Sequence, residues 1–121
     1  MPKHIKKPAL IKAAGNVTKL ISEYVGNANS GNSGISIALM KSPAGWEEPG
    51  QTPEFTEYSV VLKGVLRAKC RNGEYEISAG QAFSVGPDEW VRYSTPQPGG
   101  AEYIAVCIPA FSPDNVHRDD S

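Results

Sequence analysis

The sequence predicts an all-β domain, an antiparallel sandwich or barrel, from three observations. First, the chain of 121 residues contains 12 glycines and 10 prolines, which divide it into short pieces and argue against a helical bundle. Second, those pieces are rich in β-branched and apolar residues, and several alternate apolar with polar side chains. Third, the pieces recur roughly every 8–12 residues with turn residues between them, which is typical of sandwiches and barrels.

The individual strands follow from this pattern. The triplet Arg71-Asn72-Gly73 separates two of them and is a hairpin signal, and Lys63-Gly64 marks a turn between two others. Each remaining strand ends at a glycine, proline or polar loop. Strands are therefore predicted at 35–40, 58–62, 65–70, 74–77, 82–85, 90–94 and 103–108.

The N-terminal part is less regular. Residues 10–14 fit an edge strand, and residues 18–25 fit a short helix with Asn16 as its N-cap and Gly26 as its stop. Residues 26–34 are glycine, asparagine and serine apart from one alanine, so a flexible loop is expected. We predict an N-terminal extension over 1–34 and a barrel with a C-terminal tail over 35–121.

Composition narrows the classes of function. The net charge of -1 gives no broad electrostatic case for nucleic acid, and the basic residues near Lys3 to Lys7 fit a solvated tail. Cys70 and Cys107 form no CxxC motif, and two thiols without a signal peptide fit a reduced cytoplasm. No apolar run reaches the ~20 residues that span a bilayer. We expect a cytoplasmic domain that contacts neither nucleic acid nor membrane.

Two spaced motifs resemble those of the small single-domain cupins, over about residues 35–110. The first family motif, G-x5-H-x-H-x3-E-x6-G, aligns with Gly45, Gln51, Pro53, Glu57 and Gly64. The second, G-x5-P-x-G-x2-H-x3-N, aligns at the same offsets with the five positions Gly80, Gly86, Asp88, Val91 and Thr95. The resemblance implies an antiparallel jelly-roll β-barrel.

The resemblance also implies where a cupin metal would bind, and the ligands are missing there. The three histidine positions hold Gln51, Pro53 and Val91, and only the carboxylate Glu57 is kept. Imidazole is the usual ligand for zinc, iron, nickel and copper, so we predict no metal site and no cofactor. A residual alternative is a divalent metal held by Glu54, Glu57 and the C-terminal His117.

Strand parity places Glu57 inside the barrel, together with the other odd-numbered residues from Gln51 to Ser59. A buried carboxylate needs a hydrogen-bond donor or must hold its proton. Gln51, Tyr93 and Tyr103 are the expected partners. Either this cluster holds a small polar ligand, with Glu57 as acceptor or general acid or base, or Glu57 is satisfied by neighbouring hydroxyls in an inert core.

Other residues have two possible roles each. Arg92 points outward by parity and fits a surface ion pair or dimer contact, or anion binding if a bulge turns it inward. Trp46 fits a lid over the barrel mouth or an aromatic plug of the core. Cys107 fits a nucleophile if a base lies beside it, but both histidines, His4 and His117, are in terminal segments, so a small buried hydrophobe is the preferred interpretation. His117 fits a solvated tail unless the segment after Phe111 folds back over the opening.

Three functions follow from the resemblance and the missing histidines. The first is a metal-independent isomerase- or lyase-type enzyme that acts on a small polar metabolite through Glu57. The second is a non-catalytic module that binds or senses such a metabolite. The third is a metal-dependent cupin with an atypical ligand set. A homodimer is expected, with the strand near residues 10–14 exchanged or added at an edge.

Overall fold

A computed structural model describes residues 2–119 of the chain and shows nine β-strands. The strands are β1 (Ala9–Lys12), β2 (Leu20–Val25), β3 (Ser36–Ser42), β4 (Trp46–Glu47), β5 (Thr56–Cys70), β6 (Gly73–Ser78), β7 (Ala82–Val85), β8 (Val91–Thr95) and β9 (Ala101–Ile108). Within the described range no helix forms. The all-β prediction is confirmed, and no helix there could span a membrane.

All strand pairs are antiparallel, and they curl into a jelly-roll barrel. The hydrogen-bonded order is β1-β2-β3-β9-β5-β8-β4, with β6 and β7 also paired to β5. The first half of β5 pairs with β7 and β9, and its second half pairs with β6 and β8. The 15-residue strand β5 therefore joins the two sides of the barrel.

The predicted turn at Lys63-Gly64 is wrong, because β5 runs through it without ending. The register against β9 shifts between Val61 and Lys63, and Gly64 has φ +74°. A Cβ at Gly64 would lie 2.0 Å from the carbonyl oxygen of Gly100, so only glycine lets these backbones meet. Gly64 is a bend within one strand, where the chain passes from one side of the barrel to the other.

The predicted helix at residues 18–25 is also wrong, because these residues form β2. This strand pairs with β1 on one side and with β3 on the other. Its side chains alternate with a period of two, but in reverse of the usual sense: Lys19 and Glu23 are buried, whereas Leu20 and Tyr24 are exposed. That reversal hid the strand pattern. The predicted edge strand is confirmed as β1, which pairs only with β2.

Two apolar clusters fill the barrel. The larger one lies around the second half of β5 and contains Leu66, Ala68, Ile77 and Val91. The smaller one joins Phe55 and Cys107 to Phe111 and Val116 of the C-terminal segment. A polar cavity lies at this second end of the barrel.

The C-terminal segment folds back across that end. The amide of Thr52 donates to the carbonyl of His117 at 3.1 Å, and the amide of Glu54 donates to the carbonyl of Asn115 at 2.9 Å. The amide of Asp119 donates to the carbonyl of Gly50 at 2.8 Å. The segment after Phe111 therefore does fold back over the opening of the barrel, which brings its residues to the site.

Candidate functional site

A cavity of about 70 Å³ lies inside the barrel beneath the C-terminal segment. Drug-sized ligands occupy pockets of roughly 300–1,000 Å³, so this cavity suits a molecule of only a few heavy atoms. Its walls combine apolar side chains with several ionisable ones. The ionisable and hydroxyl-bearing lining residues used below are Lys19, Glu48, Glu57, Tyr93, Tyr103 and Arg118.

The strand leading into β5 points its odd-numbered residues inward, as parity predicts. Gln51, Pro53, Phe55, Glu57 and Ser59 are all buried. Gln51 lines the cavity and exchanges backbone hydrogen bonds of 2.9 Å with Val91, which fixes the two motif segments side by side. Asp88, at a motif glycine position, takes the positive φ of +63° that this turn requires.

Glu57 is buried at the cavity wall with only part of its hydrogen-bonding capacity used. Its Oε2 accepts a weak hydrogen bond from the Cys107 thiol, with Sγ at 3.9 Å. Oε1 has no partner, and neither has the buried hydroxyl of Tyr93. Burial raises the pKa of Glu57, and the nearby Tyr93 hydroxyl, Lys19 and Arg118 oppose that rise.

Lys19 reaches the same cavity from the start of β2. Its Nζ donates to the Tyr103 hydroxyl at 2.6 Å and lies 3.7 Å from the centroid of the Trp46 ring. Only 7% of the residue is exposed. Desolvation lowers the pKa of Lys19 to about 8, although the negative charges of Glu48 and Glu57 oppose the shift.

Glu48 is another buried carboxyl of the cavity, besides Glu57 and Glu23, whose Oε2 accepts from the amide of Ala28 at 2.9 Å. Burial raises the pKa of Glu48 to about 7, against the opposing positive charge of Lys19. Its backbone is held by two bonds to β8: its amide donates to the carbonyl of Tyr93 at 3.3 Å, and its carbonyl accepts from Nε of Arg92 at 3.1 Å. The cavity thus contains two carboxyl groups with raised pKa values, Glu48 and Glu57, and one amine with a lowered pKa, Lys19.

Arg118 lies at the mouth of the cavity, on the returning C-terminal segment. Its backbone bridges to Gln51, and its Cζ lies 5.8 Å from the centroid of the Phe111 ring. Its guanidinium contributes to the pKa balance of Lys19, Glu48 and Glu57. The tail therefore supplies a positive charge at the opening.

Of the remaining predicted site residues, the structure places His117 and Arg92 outside the cavity and Trp46 in its wall. His117 is exposed and pairs with Glu54 on the outside, with Nε2 and Oε2 2.5 Å apart. Arg92 points outward and forms an ion pair with Glu47. Trp46 is 1% exposed, packs in the core beside the cavity and donates from Nε1 to the carbonyl of Ala14 at 3.0 Å.

The residues at the cupin ligand positions do not fit a transition metal. Pro53 and Val91 are buried and offer no side-chain donor, and Gln51 offers an amide. Over residues 2–119, no group of three histidine, cysteine, aspartate or glutamate side chains converges. Glu57 therefore does not join the outer pair of Glu54 and His117.

Cys107 occupies the cavity wall as a protonated thiol. Burial raises the pKa of the Cys107 thiol, and the charge of Glu57 raises it further. A raised pKa removes the thiolate that a nucleophile needs. The interpretation of Cys107 as a small buried residue is consistent with this environment.

Sequence reasoning missed three residues of the cavity: Lys19, Glu48 and Arg118. The period of two from Lys19 through Ile21 to Glu23 was a usable signal, because all three residues line the cavity. Glu48 lies just beyond the short strand β4, outside any strand-length pattern. Arg118 gave no local signal, because its position depends on tail pairing across the barrel.

The chain was compared with known proteins. A family model described as the AraC-like ligand binding domain matches residues 44–121. An endoribonuclease YbeY of Myxococcus xanthus is 39% identical over 101 residues, which are 84% of this chain and 34% of that protein. The chain therefore spans about a third of the length of this curated relative.

Solved structures share the fold. The polyketide cyclase RemF of Streptomyces resistomycificus matches with a TM-score of 0.73 at 16% identity, over 100% of this chain and 87% of that one. A predicted oxalate decarboxylase of Thermotoga maritima matches with a TM-score of 0.71 at 19% identity, over 85% of this chain and 92% of that one. The EutQ protein of Clostridium difficile matches with a TM-score of 0.61 at 17% identity, over 77% of this chain and 64% of that one. All are cupin-fold proteins, and at these identities the likeness concerns the fold alone.

Proposed function

Because the chain belongs to the family of AraC-like ligand-binding domains, we propose that it binds one small polar metabolite inside the barrel. One observation carries this proposal: Glu57 Oε1 and the Tyr93 hydroxyl are buried without hydrogen-bond partners at the wall of the same cavity. A buried polar atom left unsatisfied costs roughly 1–3 kcal/mol. A ligand that bonds to both atoms removes that cost.

Binding without catalysis is the function we favour. The family model that matches residues 44–121 is that of a ligand-binding domain. A module of this kind reports the presence of a metabolite through its own stability or shape. The small cavity suits a single small ligand.

The second candidate is a metal-independent isomerase or lyase, with Glu57 as the acid or base. The observation favouring it is the grouping of two carboxyls with raised pKa values and a lysine with a lowered one, an arrangement typical of acid–base sites. In this function Glu57 transfers a proton to or from a substrate carbon or oxygen, and Lys19 stabilises the negative charge that develops.

The test is a thermal-shift screen of polar metabolites on the purified chain, followed by calorimetry of each hit. Ligand binding raises the melting temperature according to its concentration relative to its Kd. Glu57→Gln should weaken the binding of a hit about 10- to 100-fold, the value of a hydrogen bond to a charged group. Glu74→Gln, the same change at an exposed residue of β6, is the matched control.

Two outcomes decide between the candidates. If a hit is unchanged after prolonged incubation, by NMR of the mixture, binding alone is supported. If it is converted, and Glu57→Gln stops the conversion, the enzyme is supported. Hits that bind Glu57→Gln as well as they bind the original chain would contradict both.

A further inference from the structure

The cavity keeps its opposite charges apart. Among residues 2–119, every nitrogen–oxygen ion pair within 4.0 Å lies on the surface, around Arg67, Arg92 and His117. Lys19, Glu48, Glu57 and Arg118 line one cavity, yet none forms an ion pair with another. Buried charges without a partner are costly, and the usual remedy is direct pairing. In this cavity the ionisable side chains surround an open space and do not pair across it.

The groups around that gap include both donors and acceptors. The ammonium of Lys19 has three N–H groups, of which Tyr103 takes one. The Tyr93 hydroxyl is a second unused donor, and Arg118 supplies further donors at the mouth. The unused acceptors are the Oε1 of Glu57 and the carboxyl of Glu48. A purely anionic ligand would be repelled by the carboxyl groups of Glu57 and Glu48. A purely cationic ligand would be repelled by the ammonium of Lys19.

We propose that the ligand is a small zwitterion of the amino-acid class, which carries both an ammonium and a carboxylate group. Its carboxylate bonds to Lys19, Tyr93 and Arg118, and its ammonium bonds to Glu57 and Glu48. This inference rests on the proposed binding function and names its ligand. The small volume, with Ala105 and Phe111 among its apolar walls, limits the rest of the ligand to a few carbon atoms.

The experiment compares whole ligands with their halves by calorimetry. Glycine, L- and D-alanine, L-serine and β-alanine are each measured beside the analogue that lacks the amine and the analogue that lacks the carboxylate; for alanine these are propionate and ethylamine. At least one zwitterion should bind 10-fold or more tightly than both of its halves. Each half forfeits one charged hydrogen-bonding end, and the loss of one such bond weakens binding by about 10-fold or more.

Variants test which end each residue binds. Glu57→Gln should reduce the preference for a zwitterion over its amine-free analogue by about 10-fold or more, and Lys19→Met should reduce the preference over the carboxylate-free analogue similarly. A purely structural role would weaken both preferences in parallel. Glu74→Gln should change neither.

Proton exchange gives a measure that needs no variant. In calorimetry repeated in two buffers of different ionisation enthalpy near neutral pH, propionate should take up protons, because an anion raises the pKa of Glu48. Ethylamine should release protons, because a cation lowers the pKa of Glu48. The zwitterion carries both charges, so it should exchange fewer protons than propionate or ethylamine. These signs follow from a carboxyl whose pKa lies near neutrality.

Three results would overturn the inference. A half-ligand that binds within threefold of every zwitterion would refute the need for both charges. Failure of all five zwitterions, with another polar metabolite bound in a Glu57-dependent manner, would refute the zwitterion and leave the binding function standing. A screen without any hit would remove both.

The outer face of the sheet carries an independent observation. Along β1, β2, β3, β9 and β5, the outward side chains are mostly apolar, and the register aligns Leu39 with Ile104 and Ile104 with Val60. Several are well exposed, among them Leu62 at 49% and Val60 at 42%. We call this surface the outer apolar face; it comprises Leu10, Leu20, Tyr24, Ile37, Leu39, Tyr58, Val60, Leu62, Ile104, Val106 and Ile108.

We infer that a second copy of this chain covers the outer apolar face, in a twofold dimer. Seven of its side chains are large hydrophobics that are 38–78% exposed. A standard interface takes about 800 Å² from each partner, and a broad apolar face of this kind is what such an interface needs. Lys41, Glu102 and Lys63 lie side by side at one end of it. A twofold axis through the centre of the face places the charged rows of the two chains at opposite edges of the interface. The interface then has an apolar centre and a polar rim.

Light scattering and sedimentation at 1–100 µM test the dimer. The original chain should have twice the monomer mass, and Val60→Glu should give a folded monomer. Val17→Glu, which alters an exposed apolar residue outside the face, should leave the dimer intact. A monomer at 100 µM, an unchanged dimer in Val60→Glu, or a stoichiometric complex with a different protein would overturn the inference.

Discussion

The two faces of the same sheet reverse the usual distribution of side chains. On the inner face, β5 carries Glu57 and β2 carries Glu23, both buried. On the outer face, the next residues along these strands, Tyr58 and Tyr24, are 44% and 38% exposed. A one-sided antiparallel sheet normally buries its apolar residues and exposes its polar ones.

The second half of β5 shows the ordinary arrangement. Leu66 and Ala68 are fully buried, and the intervening Arg67 reaches the surface, where its Nη2 lies 3.0 Å from Glu76. The chain therefore builds a conventional core where it needs stability and inverts the pattern elsewhere. This inversion is the observation that supports our two proposals for this half of the barrel, a ligand on the inner face and a second chain on the outer face.

Glu57→Gln should have the largest effect on function of any single change. In a catalytic role, the loss of an acid or base lowers the turnover of an identified substrate by about 10²–10⁴-fold. The free energy of unfolding should stay the same or rise, because a buried carboxyl is replaced by an uncharged side chain of equal shape. Turnover and urea denaturation measure the two effects. A large loss of stability with function intact would show that Glu57 serves the core.

Leu66→Ala should have the opposite profile. Leu66 is fully buried in the larger apolar cluster, so its truncation should lower the free energy of unfolding by about 2–5 kcal/mol. Ligand affinity of the folded fraction should not change, because Leu66 is not part of the cavity lining. The matched variant is Leu62→Ala, on the outer face of the same strand, which should weaken dimerisation more than folding. Equal losses of stability at both positions would break the distinction between the two halves of β5.

Glu48→Gln should change how stability depends on pH. The pKa of Glu48 rises from 4.5 to about 7 on folding, so the native state binds more protons than the unfolded state between these values. Its contribution to stability is thus present below pH 4.5 and is lost as pH rises through about 7. At about 1.4 kcal/mol per pKa unit, the rise from 4.5 to about 7 sets an upper bound of about 3.5 kcal/mol on this contribution to stability.

Urea denaturation from pH 4.5 to 8 measures this slope. Glu48→Gln should flatten the curve relative to the original chain, and Glu74→Gln should leave it unchanged. A slope that survives in Glu48→Gln would assign the titration to another group, of which Glu57 is the nearest in kind.

Local backbone geometry accounts for most of what the sequence predicted correctly. Parity from Gln51 to Ser59 placed Glu57 on the buried side, whereas the turn predicted at the motif glycine Gly64 is a bend inside β5. β2 was mistaken for a helix, because its charged residues face inward and its apolar residues face outward. Lys19 was missed for the same reason, since pattern reasoning assumes that charged side chains face water.

The remaining misses depend on long-range pairing. Arg118 reaches the cavity only because the C-terminal segment hydrogen-bonds to residues 50–54. Nothing in the residues near Arg118 encodes that contact. The same fold-back separates His117 from Glu57, because it turns the imidazole outward to Glu54. Neighbours along the tail thus take opposite roles, which residue type alone does not indicate.

Metal removal should have the smallest effect. The cupin ligand positions hold Gln51, Pro53 and Val91, so the purified chain should carry less than one equivalent of transition metal per protomer by elemental analysis. EDTA should therefore leave the melting temperature unchanged, because only an ion that binds the native state stabilises it. One exposed place could weakly attract an ion, the pair of Glu54 and His117. His117→Ala should remove any substoichiometric zinc without changing ligand affinity, because this pair lies outside the cavity lining. One tightly held equivalent of iron, nickel or zinc that survives in His117→Ala would contradict this prediction and would make the inner carboxyls, rather than a zwitterion, the centre of the site.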